Sequence, residues 1–388
     1  MRIAFIVPGF AADENDWCIP AHTDMVRTLA AEDDVHVFAM RYPHRAGTYR
    51  IGKATVQSIG GAEVRGSGTA LLWQRVMRVI AREHSHRKFD IIHAIFGGEA
   101  GCVAVLAGKC LRVPSVVWLV DGELVGLRDI GYGADLNLRL RELNEIVLRW
   151  ADSILCGCAA MTEIAQARVG KTRRACVETL PLGVNVERFI QEKEFQEIGN
   201  TRYAIGDTRK KGTDAHFVNV GSLLAVKSQA TLVRAFALVR REIAGATLTI
   251  AGTGPLENNL RALADELQLD SCVTFAGNVP HENLPAFYRA ADVFVQASRH
   301  EGQGMALLEA AACGCAVCGT NVGVLRDFAQ RGAAIAAAVG DVPALAEAMQ
   351  SAFRARARLC EQSKKITDSE YNLEYISNRL RALYARLC

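Results

Sequence analysis

Short apolar segments alternate with amphipathic ones along the whole chain. Ten segments of four to six residues are rich in Val, Ile, Leu and Phe, and several of them are apolar at every position. Continuous apolar runs of this length are typical of parallel strands that are covered on both faces. The predicted strands are residues 3–7, 35–40, 91–96, 116–120, 154–157, 217–221, 247–251, 273–276, 293–297 and 316–319.

Between these strands the apolar residues recur at helical spacing. The clearest cases are Leu256, Leu260, Leu263 and Leu267 in one predicted helix, and Leu232, Val233, Phe236 and Val239 in another. Ser228 precedes the second of these helices, and we expect it to cap that helix. Strands that alternate with helices predict a parallel sheet with right-handed crossovers.

The alternation runs through two sets of about five strands, and a chain of 388 residues exceeds the size at which one core keeps growing. We therefore predict an α/β protein with two Rossmann-like domains whose parallel sheets face a central cleft. The first domain is predicted at residues 1–187 and the second at residues 188–367. A last helix within residues 368–388 is expected to pack back onto the first domain. Residues 191–212 are polar and lack periodicity, as in a linker.

Composition excludes several classes of protein. The formal charge of +3 gives no reason to expect nucleic acid as a partner, although a local basic face for an anionic substrate or a membrane stays open. The apolar N-terminal run ends at Pro8 and Gly9, which favours a buried strand over a secretory signal. No apolar run approaches the roughly 20 residues that span a bilayer. We expect a cytoplasmic protein, with peripheral contact at the inner face of the membrane as the alternative.

Most of the 12 cysteines lie inside apolar segments, where free cysteine behaves as a small buried hydrophobe. The cluster Cys313, Cys315 and Cys318 is the exception. No second pair of cysteines or histidines follows it at the spacing of zinc ligands. The sequence therefore predicts free thiols in a reducing compartment and no metal site.

The most informative stretch is residues 298–310, SRHEGQGMALLEA, which follows a predicted strand and opens a helix. A helix N-terminus after a glycine turn offers free backbone N–H groups and a positive dipole end, a natural binding site for a diphosphate. Gly302 and Gly304 let the main chain approach a ligand closely.

Two carboxylates flank this turn. Glu301 precedes the helix and Glu309 lies inside it; from Gly304 to Glu309 the helix advances about 7 to 8 Å at roughly 1.5 Å per residue. One can reach sugar hydroxyls on one side of the phosphates while the other reaches a ribose. A glycine-punctuated turn with one solvated and one dipole-stabilising glutamate is the alternative.

A second phosphate element follows the first strand of the second domain. Lys227 lies between a glycine turn and the helix that Ser228 opens, at the carboxyl edge of the sheet, where open α/β domains bind ligands. The alternative is an ordinary solvated lysine. Residues 252–255, GTGP, repeat the pattern of a strand followed by glycines.

Acidic loops follow the strands of the first domain. Asp121 and Glu123 come directly after the strand at 116–120, and carboxylates there often bind hydroxyls, although a capping or solvated role is the alternative. Asp16 and Trp17 follow the first strand and suit hydrogen bonding and stacking on an acceptor sugar. Residues 130–133 are a further candidate acceptor loop.

His93 ends an apolar strand, and we interpret it as a core histidine in preference to a catalyst.

These motifs together resemble the retaining glycosyltransferases of family four, which have the GT-B fold. The resemblance covers the whole second domain and includes the segments that precede it. The matching segments are 183–185, 187–189, 252–255, 277–279, Glu301-Gly302 with Glu309, and 312–314.

The resemblance implies a role for each matching residue. Glu301 would contact the donor sugar, Glu309 the ribose, and Lys227 the diphosphate. The other implied donor contacts are Ser222, Gly254, the backbone of Val279 at the base, and the N–H groups of Gly302, Gln303, Gly304 and Met305.

The sequence departs from the family pattern at four positions. Ser222 stands where an arginine often binds phosphate, and Gln303 replaces a common aromatic residue. Gly9, a predicted acceptor contact, lacks the second glycine usual in that loop. Asp121 stands where many members have a histidine near the sugar, so we list it with Glu301 as a catalytic candidate.

The sequence thus predicts metal-independent transfer of a sugar from a nucleoside-diphosphate sugar, with no cofactor, to a glycan, lipid-linked or small-molecule acceptor. No Asp-x-Asp pair occurs, as expected if Lys227 and backbone amides bind the phosphates. UDP and GDP donors are both plausible. A nicotinamide oxidoreductase would need Gly-x-Gly-x-x-Gly after a strand, which is absent. A sugar-nucleotide hydrolase or epimerase and a non-catalytic subunit remain as alternatives.

Overall fold

The protein consists of two compact units. The computed structural model describes residues 1–14, 16, 18–61, 68–170, 173, 176–190 and 214–388. The first unit comprises Met1–Gly183 together with Leu373–Cys388, and the second comprises Val184–Asn372.

The first unit is built on an eight-stranded sheet with the order β3-β4-β2-β1-β5-β6-β7-β8. Neighbouring strands are parallel except for the antiparallel pair β3 and β4. Its strands are β1 Arg2–Gly9, β2 Asp34–Tyr42, β3 Gly47–Ile51, β4 Ala54–Ser58, β5 Ile91–Ile95, β6 Ser115–Leu119, β7 Ser153–Cys156 and β8 Val177–Thr179. Its helices are α1 Pro20–Ala30, α2 Gly68–His86, α3 Gly98–Leu111, α4 Leu138–Trp150, α5 Ala159–Val169 and, from the end of the chain, α14 Leu373–Leu387.

The second unit has a six-stranded parallel sheet with the order β11-β10-β9-β12-β13-β14. Its strands are β9 His216–Val220, β10 Thr247–Ala251, β11 Val273–Gly277, β12 Val293–Gln296, β13 Ala316–Thr320 and β14 Ile335–Ala337. Its helices are α6 Val186–Ile190, α7 Gln229–Glu242, α8 Glu257–Glu266, α9 Leu284–Arg289, α10 Met305–Ala312, α11 Gly323–Gln330, α12 Val342–Arg354 and α13 Arg356–Glu370. Strand order reverses between β9 and β12, and ligands bind at such a point in open α/β sheets.

Burial of apolar strands and helix faces holds each unit together. Strand β1 is fully buried over Ile3 to Val7, and helix α3 packs on β1, β5 and β6. In the second unit, the predicted inner face of α7 is buried against the sheet core. Burial of each large aliphatic side chain stabilises the fold by about 1.5–3 kcal/mol.

All ten predicted strands are strands in the structure, with ends within one or two residues of those predicted. Strands β3, β4, β8 and β14 were not predicted. Strands β8 and β14 are only three residues long, and β3 carries mostly exposed or half-exposed side chains, so none of the three shows the apolar pattern of a buried strand. Strand β4 alternates buried and half-buried residues, but its buried positions include the small residues Ala54 and Ser58, which make the pattern weak.

Ser228 lies at the N-cap position of α7, but its side chain does not cap the helix. Its backbone is left-handed, with φ of 50°, and its hydroxyl lies 2.9 Å from the hydroxyl of Thr231. The predicted start of this helix at Ser228 is therefore confirmed, but the expected capping hydrogen bond is not formed, because the hydroxyl meets the Thr231 side chain and not a backbone N–H group.

The units change over at Gly183 and Asn372, a few residues from the predicted boundaries at 187 and 367. Val184 N–H donates to the carbonyl of Tyr371 at 2.8 Å, so both crossing segments pair within the second unit. The last helix, α14, belongs to the first unit and packs on α1. The predicted linker at 191–212 lies outside the described residues.

All twelve cysteines are among the described residues, and each is a free thiol. Burial raises the pKa of Cys318 and of Cys315, which keeps these thiols protonated. Within the described parts of the chain, no helix is long and apolar enough to cross a membrane.

Gly252 is a point where the fold tolerates only glycine. Its φ is +134°, and a Cβ atom there would lie 2.0 Å from the carbonyl oxygen of Gly221. We expect Gly252→Ala to lower the free energy of unfolding of the second unit by about 3 kcal/mol, because it combines left-handed strain with a clash against backbone. The urea midpoint measures this change.

Gly47→Ala is the control, since a Cβ atom at Gly47 meets nothing within 4 Å. A Gly252→Ala protein that unfolds at the urea concentration of the Gly47→Ala protein would contradict this account of the loop.

Candidate active site

Two of the residues singled out in the second unit, Lys227 and Glu301, lie where its strand order reverses. Lys227 follows β9, and Glu301 follows β12, the neighbouring strand in the sheet. The carboxyl ends of parallel strands meet at one edge, which is why residues 74 positions apart come together. One pocket contains both. It is lined by Asn219, Val220, Lys227, Gln229, Phe294, Gln296, Ser298, Glu301, Gly304, Met305 and Ala306.

Lys227 and Glu301 form an ion pair near the N-terminus of α10. Lys227 Nζ donates to Glu301 Oε1 at 2.7 Å, and Ser298 Oγ donates to the same oxygen at 2.6 Å. Both charged side chains are partly buried. The pair places a cation and an anion within reach of any group that occupies the pocket.

The glycine turn leads directly into α10. Gly304 is the N-cap residue with φ of 104°, and a Cβ atom there would lie 2.8 Å from Gln296 Oε1. Gly302 and Gln303 are buried, and the Gln303 carbonyl accepts the N–H of Val324 at 2.8 Å. The Gln303 side chain donates to Met305 Sδ at 3.0 Å. The N–H groups at the start of a helix have no carbonyl partner within it, so Met305 and Ala306 present donors at the pocket.

Glu309 lies five positions further on, inside α10, and is 8% exposed. Tyr288 donates its hydroxyl to Oε2 at 2.9 Å, and His281 Nε2 lies 3.1 Å from Oε1. Burial raises the pKa of Tyr288 well above its usual value, so its hydroxyl keeps its proton and acts as the donor. The carboxylate is therefore held in a fixed orientation, and each of its oxygens can accept a further hydrogen bond.

Three glycine loops follow β9, β10 and β11. The N–H of Leu223 donates to the carbonyl of Thr253 at 2.9 Å, and Gly254 has room for no Cβ atom because Leu223 lies against it. Ser222 is exposed on the first loop, and Val279 is buried after the third. These loops bring Ser222 and Gly254 together, but Ser222, Gly254, Val279 and Glu309 do not line the pocket of Lys227.

In the first unit, Asp121 meets the predicted acceptor loop at 130–133. The Tyr132 hydroxyl donates to Asp121 Oδ1 at 2.6 Å, and the carboxylate is exposed.

Glu123 is buried instead, and its oxygens accept the N–H groups of Val120 at 3.2 Å and of Asp121 at 2.8 Å. Burial raises the pKa of Glu123 to about 7. Its bonds to neighbouring backbone are those of a carboxylate that shapes its own loop, which was the capping alternative.

Asp16 is bonded within its own loop and to the end of β2. It accepts the N–H groups of Ala12 at 2.7 Å and Cys18 at 3.0 Å and the Tyr42 hydroxyl at 2.7 Å. Burial opposes ionisation, but these donors outweigh it and hold the pKa of Asp16 below its usual value. Gly9 ends β1 close to Tyr42. Trp17 lies outside the described residues.

His93 is a core residue, as the sequence indicated. It lies in the middle of β5, not at its end, and is fully buried. Its ring stacks between Phe5 and Trp118, and Nδ1 lies 2.6 Å from the Tyr384 hydroxyl of α14. Burial lowers the pKa of His93 to about 3, so the ring stays neutral.

Sequence reasoning missed Ser298, Tyr288 and His281. Ser298 begins the informative segment and was passed over for its glutamates. Tyr288 and His281 lie on a different loop and helix from Glu309, so no local spacing relates them. Among the residues that the structure describes, no group of three or more His, Cys, Asp or Glu side chains could hold a metal ion.

Two family models match the chain. The model described as Glycosyltransferase Family 4 matches residues 23–188, and the model described as Glycosyl transferases group 1 matches residues 203–370. The two matches fall on the first and second units respectively.

Several curated proteins are similar in sequence. A GDP-mannose-dependent alpha-(1-6)-phosphatidylinositol monomannoside mannosyltransferase of Mycobacterium tuberculosis is 36% identical over 156 residues, which is 38% of this chain and 39% of that protein. A D-inositol 3-phosphate glycosyltransferase of Pseudarthrobacter chlorophenolicus is 40% identical over 63% of this chain and 58% of that protein. The chain therefore spans well under two thirds of the length of either relative.

Solved structures share the fold over the whole chain. HepE of Anabaena in complex with UDP has a TM-score of 0.73 at 15% identity and covers 100% of both chains. Sucrose-phosphate synthase from Thermosynechococcus elongatus has a TM-score of 0.74 at 19% identity, over 100% of this chain and 99% of that one. With two Rossmann-like units of the same fold and both family models matched in order, the chain belongs to the GT-B glycosyltransferases of family 4 and group 1.

Proposed function

We propose that this chain transfers a sugar, with retention of anomeric configuration, from a nucleoside-diphosphate sugar to a hydroxyl of a glycan, lipid-linked or small-molecule acceptor. The observation that carries the proposal is the grouping at the reversal of strand order. There a lysine, a carboxylate and the glycine-led N-terminus of α10 line one pocket. A second carboxylate lies one and a half turns along the same helix.

In this proposal the second unit binds the donor. Lys227 and the free N–H groups of α10 contact the diphosphate, because a cation and a helix N-terminus both stabilise negative charge. Glu301 accepts hydroxyls of the sugar, and Glu309 accepts hydroxyls of the ribose. The two carboxylates point to different partners, since each is bonded to a different set of side chains.

The reaction breaks the bond between the anomeric carbon and the diphosphate oxygen, and the electron pair leaves with the diphosphate. The acceptor oxygen bonds to the anomeric carbon on the same face, and its proton passes to a diphosphate oxygen. Lys227 and the α10 N–H groups stabilise the charge that develops on the leaving group, and such preorganised donors supply much of enzymatic rate enhancement. No protein nucleophile is required.

The first unit contributes the acceptor contacts in this proposal. Its exposed Asp121 carboxylate, which also accepts the Tyr132 hydroxyl, binds a hydroxyl of the acceptor. The mannosyltransferase relative is named for phosphatidylinositol monomannoside, and a lipid acceptor of this kind would bring this protein to a membrane surface.

A thermal-shift experiment tests donor binding. We expect the protein to be stabilised by one of UDP, GDP or ADP and by the matching sugar conjugates, because a ligand that binds only the native state raises its Tm. At about 100 times its Kd, a ligand adds about 2.7 kcal/mol to the native state, which is a shift of several degrees. NAD and NADP are the controls.

Each outcome bears on one alternative. A selective shift with one nucleoside diphosphate supports the proposal and names the base. A shift with NAD alone contradicts it, and silence across the panel favours a non-catalytic subunit. Metal independence predicts the same shift and the same turnover after treatment with EDTA. An anomeric proton coupling that shows inversion in the product would contradict retention.

A further inference from the structure

The loop between β11 and α9 places His281 between two charged side chains of the second unit. Its Nε2 lies 3.1 Å from Glu309 Oε1, and its Nδ1 lies 3.3 Å from Arg188 Nη1. His281 is two residues beyond Val279, the predicted contact of the base, and it belongs to a single helical turn, His281–Asn283. Neither the motifs nor the family resemblance pointed to it.

These contacts determine which ring nitrogen carries the proton. A guanidinium can only donate, so Nδ1 of His281 accepts from Arg188. In the neutral ring the proton is then on Nε2, which donates it to Glu309. Arg188 therefore acts on Glu309 through the histidine ring.

The ring is also held from the side. Phe189, next to Arg188 on α6, meets His281 edge to face with 5.6 Å between ring centroids. Phe189 is 1% exposed, and its carbonyl accepts Arg289 Nη1 at 2.9 Å. The α6 turn thus fixes both the tautomer and the orientation of the imidazole.

Each carboxylate oxygen of Glu309 therefore accepts one hydrogen bond from these side chains. Within the described part of the chain, His281 donates to Oε1 and Tyr288 to Oε2. An ionised carboxylate has about four acceptor positions, so each oxygen keeps one. Two free acceptor positions on a fixed plane match the two adjacent hydroxyls of a ribose.

We infer that His281, held by Arg188, is a positioning residue that orients Glu309 for bidentate recognition of the ribose diol of the donor. The inference rests on the proposed function, because it requires that Glu309 bind the ribose. The inference also distinguishes His281 from a merely structural residue. If His281 positions Glu309, replacing His281 must weaken nucleotide binding only when the ribose hydroxyls are present.

The test compares His281→Ala, His281→Gln and wild type for binding of the stabilising nucleoside diphosphate and of its 2′,3′-dideoxy analogue, by calorimetry. We expect His281→Ala to weaken the ribonucleotide about tenfold, the effect of losing one hydrogen bond to a charged group, and the dideoxy analogue less than about twofold. His281→Gln retains an N–H donor at a similar reach and should restore most of the affinity. His86→Ala, at an exposed histidine of the first unit, is the control.

Equal weakening of both nucleotides, or no weakening of either, would overturn the inference while the proposed function stands. Wild-type protein that binds no nucleoside diphosphate at all would overturn both. If His281→Ala has a much lower Tm than wild type, the His281→Gln variant decides. The inference is overturned if His281→Gln folds normally but binds the ribonucleotide as weakly as it binds the dideoxy analogue.

Discussion

Replacing Lys227 with alanine is expected to weaken binding of the nucleoside diphosphate about 100-fold and to lower kcat/KM for the donor about 1000-fold. Lys227 is the cation of the pocket that also contains the N-terminus of α10. Ser222, on the neighbouring loop, carries no charge that could replace it. Removal of one preorganised donor from a developing anion costs about 10²–10³ in rate, and the lost ground-state attraction adds to it.

Calorimetry with the nucleoside diphosphate and steady-state kinetics with the donor measure the two effects. Lys365→Ala is a matched control, because Lys365 is an exposed lysine on α13 of the same unit. Lys227→Ala should fold normally, since Ser298 still donates to Glu301. Unchanged affinity for the diphosphate would remove Lys227 from the donor site.

Glu301→Gln is expected to lower kcat strongly without weakening the binding of the nucleoside diphosphate, unlike Lys227→Ala. We expect kcat to fall about 100-fold, because a carboxamide keeps one acceptor oxygen but loses the charge that binds and polarises sugar hydroxyls. Affinity for the nucleoside diphosphate alone should stay the same or rise. The reason is that Glu301 pairs with Lys227 at 2.7 Å and competes with phosphate for that cation.

The two measurements are kcat under donor saturation and the Kd of the nucleoside diphosphate. Glu266→Gln, at an exposed glutamate at the end of α8, is the control. A Glu301→Gln enzyme with unchanged kcat would contradict the sugar contact. A Glu301→Gln protein that binds the diphosphate much more weakly would show that Glu301 supports the phosphate site instead of competing with it.

Paired with Lys227→Ala, this variant separates the two halves of the donor. Lys227→Ala should weaken binding of both the nucleoside diphosphate and its sugar conjugate. Glu301→Gln should lower kcat but keep the affinity for the nucleoside diphosphate. If only one of two substitutions on the same ion pair raises the Kd of the nucleotide, a general disturbance of the pocket cannot be the cause.

The acidic residues of the first unit show where sequence reasoning reached its limit. Asp121 and Glu123 stand two positions apart after the same strand, and both were predicted to face a substrate. The structure leaves Asp121 exposed and buries Glu123 on backbone N–H groups of its own loop. Their spacing in the chain carried no information about which one turns inward, because that depends on how the loop closes over β5 and β6.

Local pattern determined ten of the strands, the helices α7, α8, α10 and α14, and the glycine turn of this protein. Apolar runs and helical spacing are short-range features, and they fixed ten strands correctly. The segment 298–310 was identified for the same reason, since a strand, two glycines and a helix start are contiguous in the chain. Strands β3, β8 and β14 escaped because they carry too few buried side chains to make a pattern. Strand β4 escaped because two of its three buried positions hold the small residues Ala54 and Ser58.

Only the tertiary structure decided which side chains meet. Lys227 reaches Glu301 because β9 and β12 are neighbours in the sheet although two strands separate them in sequence. His281 reaches Glu309 because the turn after β11 packs against α10. The physical reason is that sheet order and helix packing are set by burial across the whole unit, while periodicity reports only which face of each element is buried. The sequence therefore determined the elements and the class of chemistry, and the packing of those elements decided the partners of each charged group.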